Sequence, residues 1–133
     1  MPSARVLDSW AILAYLEGQP AGGKVCDLLK ETFKKEEKLL ISVVNWGEIL
    51  YTIEMRYGKE RLKEIRSAID QIPLDLISAD TAQAQEAAHF KAEFRLPYSD
   101  CYAASLAFMR KTELVTGDKD FRRVEGKIKI MWL

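Results

Sequence analysis

The chain has 133 residues, 48% apolar and 30% charged, a length that fits one domain and a composition that excludes intrinsic disorder and low-complexity polymers. Twenty Lys and Arg against 20 Asp and Glu give zero net charge, which excludes coating of nucleic acid by bulk charge but not a nuclease whose acidic site is neutralised by metal. Cys26 and Cys101 stand far apart, with no CxxC pair and a single histidine, His89, so zinc, Cys-His and Ser-His-Asp chemistry fit poorly, and two buried thiols in a reducing cytoplasm are expected.

Residues 4–7 read as a short strand that ends at Asp8. Residues 9–17 read as a helix closed by Gly18. Residues 22–35 form a second helix, with Val25, Leu28, Leu29 and Phe33 on one face. Residues 39–43 are a β-branched and Leu-rich run, read as a buried strand. Residues 44–57 are a helix stopped by Gly58. Residues 59–72 are another, striped by Leu62, Ile65, Ile69 and Ile72 and ended by Pro73. A strand follows at 74–78, and Asp80 caps a helix running to about Phe94. Pro97 opens a turn into a nearly apolar helix at 99–111. Residues 113–116 form a strand leading to Gly117, and 128–132 form a last, edge strand. No apolar run approaches the ~20 residues that span a bilayer, and no secretory signal precedes Asp8.

Strands alternating with helices predict an α/β fold, a parallel sheet with helices on both faces, over a single domain of residues 1–133. In such folds ligands bind beyond the carboxyl ends of the strands, which directs attention to Asp8 and Asp118. Asp8 is either a helix N-cap or a metal ligand at a rigid strand end. Asp100 is the only charged residue from there to Met109, beside Ala103, Ala104 and Ala107. A carboxylate in a helix built for burial is costly unless it caps, pairs or binds a cation. Thr116-Gly117-Asp118-Lys119-Asp120 places two acids after a tight turn, a pattern that turn chemistry alone also produces. Glu48 lies opposite the stripe of Val43, Trp46, Leu50, Ile53 and Tyr57, with Asn45 and Thr52; that face meets either bulk water or a cleft. Hard oxygen ligands without His or Cys select Mg²⁺ or Mn²⁺, and such a site suits phosphodiester hydrolysis.

The sequence resembles the PIN-domain nucleases, and among them VapC-like toxins. The likeness spans the chain. It rests on Val6-Leu7-Asp8-Ser9, on Ile41-Ser42-Val43-Val44-Asn45-Trp46-Gly47-Glu48, on Tyr98-Ser99-Asp100-Cys101-Tyr102-Ala103-Ala104, and on Leu114-Val115-Thr116-Gly117-Asp118-Lys119-Asp120-Phe121. The resemblance implies a Mg²⁺- or Mn²⁺-dependent endoribonuclease on a parallel sheet of about five strands. Its acidic quartet falls on Asp8, Glu48, Asp100 and Asp118. Asp8, Asp100 and Asp118 become the metal ligands, with Asp120 as an extra acid and Ser9, Asn45 and Thr116 as polar support. It further implies a homodimer, an RNA substrate and a cognate antitoxin protein.

Arg5, Arg110, Lys111, Lys119, Arg122 and Arg123 are candidates for a basic rim near the site. Trp10, Trp46, Tyr51 and Tyr57 divide among core, dimer face and antitoxin groove, with Trp46 assigned to the core. The competing readings are an RNA-processing nuclease outside any toxin–antitoxin pair, a PIN-like scaffold that binds RNA without cutting it, and a phosphoryl-transfer domain. Receiver and phosphatase sites want further acids around the first strand, which Ser9-Trp10 do not supply.

Overall fold

In the computed structural model, which describes residues 4–133, the five expected strands appear as β1 (Val6–Leu7), β2 (Leu39–Ser42), β3 (Leu74–Ile77), β4 (Leu114–Thr116) and β5 (Ile130–Trp132). The first three residues of the expected 1–133 domain lie outside the described residues. All strand pairs are parallel and the order is β3-β2-β1-β4-β5. The chain therefore builds outward from β1 to β3, then returns to the other side of β1 with β4 and β5. The point where that direction reverses lies between β1 and β4, where open α/β sheets leave a crevice at the carboxyl ends. β5 is an edge strand, as its alternation predicts.

The helices are α1 (Ser9–Leu16), α2 (Gly22–Lys34), α3 (Val43–Ile69), α4 (Thr81–Phe94) and α5 (Tyr98–Arg110), with a 3-10 turn at Lys119–Val124. Successive strand residues point to opposite faces of the sheet. Val6, Leu40 and Leu114 accordingly pack with Phe90, Ala103, Ala107 and Phe121 on one side. Leu7, Ile41 and Val115 pack with Ile12, Val25, Ile49 and Ile53 on the other. Both faces of the central strands are covered, which is why they read as unbroken apolar runs.

Several local expectations are corrected. The helices read on either side of Gly58 form one interval, α3, broken at Gly58 by φ +87° and ψ 172°; only glycine takes such a backbone conformation without strain. The buried line of its first half is Asn45, Ile49 and Ile53, turned by about one residue, roughly 100°, from the expected stripe, with which it shares only Ile53. Tyr57, counted among the apolar face, is half exposed. Phe33 is 68% exposed, and Thr32 takes the buried position, its hydroxyl donating to the Leu28 carbonyl. Cys101 is buried but Cys26 only partly so. Trp46 is partly buried against the α1–α3 side of the core rather than enclosed by it. Among the described residues no helix is long and apolar enough to cross a membrane.

Candidate metal centre

The site is assembled where strands end. β1 terminates at Asp8, which is 1% exposed. Its Oδ1 accepts from the Ala11 amide at 2.9 Å and so caps α1. Its Oδ2 accepts from the Thr116 hydroxyl at 2.6 Å. The capping and functional readings are thus not exclusive: one oxygen holds the helix and the other faces β4. Thr116 ends β4 and also accepts from the Asp118 amide at 3.0 Å. A single buried hydroxyl therefore ties the acid after β1 to the turn after β4.

That turn is shaped by Gly117. A Cβ placed there would lie 2.2 Å from the Trp10 ring, so only glycine lets α1 close over the loop. Beyond it, Asp118 Oδ1 accepts from the Asp120 amide at 3.0 Å and starts the 3-10 turn. From the other side α5 brings Asp100, which is 8% exposed. Asp100 is not a cap, because Pro97 occupies the cap position and no side chain bonds there. Carboxylate oxygens of Asp100, Asp118 and Asp120 lie within 4.8 Å of one another.

Glu48 enters from α3, half buried. Ser9 Oγ donates to its Oε1 and Ser99 Oγ donates to its Oε2 at 3.1 Å. Glu48 is therefore engaged by α1 and α5 rather than by bulk water alone. Asn45 turns toward the same residue of α5 but is fully buried, its Nδ2 donating to the Ser99 carbonyl at 2.9 Å. That bond staples α3 to the first turn of α5, next to Asp100. Among the described residues Asn45 Oδ1 is buried without a partner. Ser99, named in the sequence only as part of the Tyr98–Ala104 motif, thus joins the site by bonding both Asn45 and Glu48.

Electrostatics agree with the geometry. Burial pushes the Asp8 carboxyl up to about 7, against the bonds from Thr116 and Ala11, with Asp100 and Asp118 adding to the rise. Burial first, then the neighbouring Asp118, Glu48 and Asp120, raise Asp100 to about 7. Five carboxyl groups thus act on one small region, and together they resist full ionisation. A multivalent cation is the group that removes both penalties. The donors are all hard oxygens, which fits Mg²⁺ or Mn²⁺ rather than a soft metal.

The basic rim is only partly as expected. Lys119 and Arg122 are exposed in the turn that carries Asp118 and Asp120, and Arg123 donates to the Arg95 carbonyl. Arg5 precedes β1 and pairs with Glu113 at 3.0 Å. It lies with Lys111 at the amino ends of the strands, across the sheet from the acids. Arg110 ends α5 on that same side. Arg5, Arg110 and Lys111 thus lie away from the acids, because closeness in sequence to a strand does not say which of its ends a residue flanks.

Glu48→Gln keeps the shape and one acceptor but removes the charge. Cleavage of RNA is expected to slow by about tenfold or more, with the melting temperature unchanged or raised. Unchanged rates, within about a factor of two, would remove Glu48 from the site.

The sequence pattern of the PIN domain matches residues 5–127. The Mycobacterium bovis protein "VapC ribonuclease Mb0640" is 25% identical over 127 residues, covering 90% of this chain and 94% of that protein. Among solved structures, DNA-bound VapBC from Salmonella typhimurium superposes with a TM-score of 0.75 at 19% identity, over 98% of both chains. Mycobacterium tuberculosis VapC20, described as a sarcin-ricin loop cleaving toxin, superposes with a TM-score of 0.70 at 13% identity, over 95% of this chain and 98% of that one.

Proposed function

The chain belongs to the PIN-domain family, and from that membership we propose that it is a divalent-metal-dependent endoribonuclease, the toxin of a toxin–antitoxin pair held inactive by a cognate antitoxin. The observation that carries the reading is the convergence of Asp100, Asp118 and Asp120 within 4.8 Å beside the buried Asp8, at the crevice the strand order creates. The ribonuclease and toxin parts are supported by the relatives named VapC and by the VapBC complex of the same fold.

In this reading Asp8, Asp100 and Asp118 hold the ion, Asp120 adds charge, and Glu48 faces it from α3. A bound Mg²⁺ or Mn²⁺ supplies Lewis acidity toward the scissile phosphate and makes a water more acidic. The chain's own residues supply position. Thr116 fixes the rotamer of Asp8, Ser9 and Ser99 hold both oxygens of Glu48, and the Asn45 staple sets α5 relative to α3. Hydrogen-bonded ligands on strand and helix ends are held to the narrow tolerances that catalysis requires. Unstacked RNA is the expected substrate form, because only there is the backbone free to enter a crevice.

A homodimer, and an antitoxin lying on the surface, are supported by exposed apolar side chains on the first half of α3. Tyr51 and Met55, one turn apart, are 56% and 81% exposed, more than isolated surface apolar residues need. With an intracellular RNA target the protein works in the cytoplasm.

The test is direct. Purified protein is expected to cut single-stranded RNA with Mg²⁺ or Mn²⁺ and to stop with EDTA, leaving 5′-phosphate and 3′-hydroxyl ends. Cleavage that survives thorough chelation, or 2′,3′-cyclic phosphate ends, would overturn the metal mechanism. A copurifying or neighbouring-gene antitoxin that leaves cleavage unchanged would separate the nuclease from the toxin assignment.

A further inference from the structure

The amino ends of the strands carry a second feature. A cleft of about 790 Å³ opens there, between the ends of α2 and α5 and the lower edge of the sheet. Its cations are Arg5, Lys35, Lys38, Lys111, Lys127 and Lys129, against the acids Glu31, Glu37 and Glu113. Arg5, Glu113 and Lys129 each precede a strand, and the first residues of those strands, Val6, Leu114 and Ile130, face one another in register. Parallel pairing at ~4.8 Å spacing therefore lines them up along one edge.

Some of this charge has a local explanation. Arg5 is engaged by Glu113 and Lys35 by Glu31 at 3.1 Å. Lys35 and Lys111 also stand at the C-terminal ends of α2 and α5, where a cation meets the negative end of the helix dipole. Lys38, Lys127 and Lys129 have neither reason. All three are exposed, and among the described residues no ion pair engages them. Lys127 sits 5.1 Å from the centre of the Phe108 ring, itself 37% exposed at the cleft wall. The chain as a whole is neutral, so this surplus is segregated from the acids at the other end of the same strands.

A site built from five carboxyl groups repels a polyanion until metal is bound, and even then its charge is consumed locally. Affinity for a nucleic-acid strand has to come from cations elsewhere. Lysines free of carboxylate partners, one of them lying over the Phe108 ring, are the chemistry that follows a phosphate backbone. We propose that this cleft is a second, metal-independent contact for the single-stranded RNA outside the acidic site, reached by strands long enough to pass around the sheet. The proposal rests on the ribonuclease reading above for the identity of the polyanion.

The experiment compares wild type with Lys38→Gln/Lys127→Gln/Lys129→Gln, using two fluorescent single-stranded RNAs. One is short enough to fill the acidic site only; the other is several times longer. Binding is read in EDTA across a salt series, and cleavage with Mn²⁺. The variant is expected to bind the long RNA about tenfold more weakly, with the salt slope reduced by about 2, because each phosphate contact on a single strand contributes about 0.7. It is expected to cut the short RNA as wild type does. Long-RNA binding and salt slope equal to wild type, in a variant with wild-type melting, would overturn the proposal. So would an unchanged RNA slope together with lost binding of polyglutamate, which would assign the cleft to an acidic protein partner. If wild type binds the long RNA with the expected slope but cuts neither RNA, the nuclease reading fails and the contact surface stands.

Discussion

Asp100→Asn is expected to lower kcat/KM for RNA by on the order of a thousandfold. Asp100 brings one of the three carboxylates whose oxygens converge within 4.8 Å, and it is the one delivered by a helix rather than by the turn after β4. Asparagine keeps the volume and one acceptor oxygen but removes the charge. A metal stabilises developing charge on a transferring phosphate by several kcal/mol, and each 1.36 kcal/mol of that is about tenfold in rate. No helix cap is lost, because α5 begins at Tyr98 with Pro97 in the cap position, so the fold has no separate reason to fail. Single-turnover cleavage of a labelled RNA with saturating Mn²⁺, beside a thermal melt, reads both. A folded variant within about tenfold of wild type would take Asp100 out of the metal centre. Recovery of part of the rate at higher Mn²⁺ would instead show a weakened ligand set, as the centre predicts.

What the sequence made visible depended on how local each signal was. Strand ends followed by an acid, Asp8 and Asp118, are legible because the parallel fold forces ligands to that end, and the chain does place them on either side of the direction reversal between β1 and β4. Asp100 is legible because a lone charge amid alanines is costly without a reason. Glu48 and Asn45 were legible only through the family resemblance and not from their own helix. A helical wheel reports which residues share a face but not whether that face meets water, the sheet or another helix. Here the polar face meets α5, so Asn45 is buried against Ser99 and Glu48 is held by two serines. The Arg5–Glu113 pair was missed for the same reason, since it joins residues 108 apart that only strand register brings together.

The metal-free protein is expected to lose stability as pH rises, the reverse of ordinary acid denaturation. Asp8 and Asp100 have folded pKa values of about 7, raised from an ordinary 3.8 first by burial and then by neighbouring acids. Between those values the folded chain keeps protons that the unfolded chain has released. Where the folded state binds more protons, the free energy of unfolding falls with pH. The stabilisation is full below the lower value and is lost as pH climbs through about 7. Glu17 works in the other direction: its burial is outweighed by bonds from Tyr57 and Arg56, which hold it low, so its contribution is lost only at more acid pH. In EDTA, therefore, the melting temperature is expected to be higher near pH 5.5 than near pH 8. Asp100→Asn, with one charge fewer in the cluster, is expected to flatten that slope and to gain on the order of 1 kcal/mol at about pH 8, a few degrees in Tm. Millimolar Mn²⁺ is expected to reverse the pH dependence for wild type, because the ion binds the ionised carboxylates of the folded state alone, and to do much less for the variant. Metal uptake near neutral pH should also release protons, which calorimetry in buffers of different ionisation enthalpy detects. Melts in EDTA that rise from pH 5.5 to 8, with a variant no more stable than wild type, would mean that these carboxylates do not share one field, and the metal centre would have to be sought elsewhere.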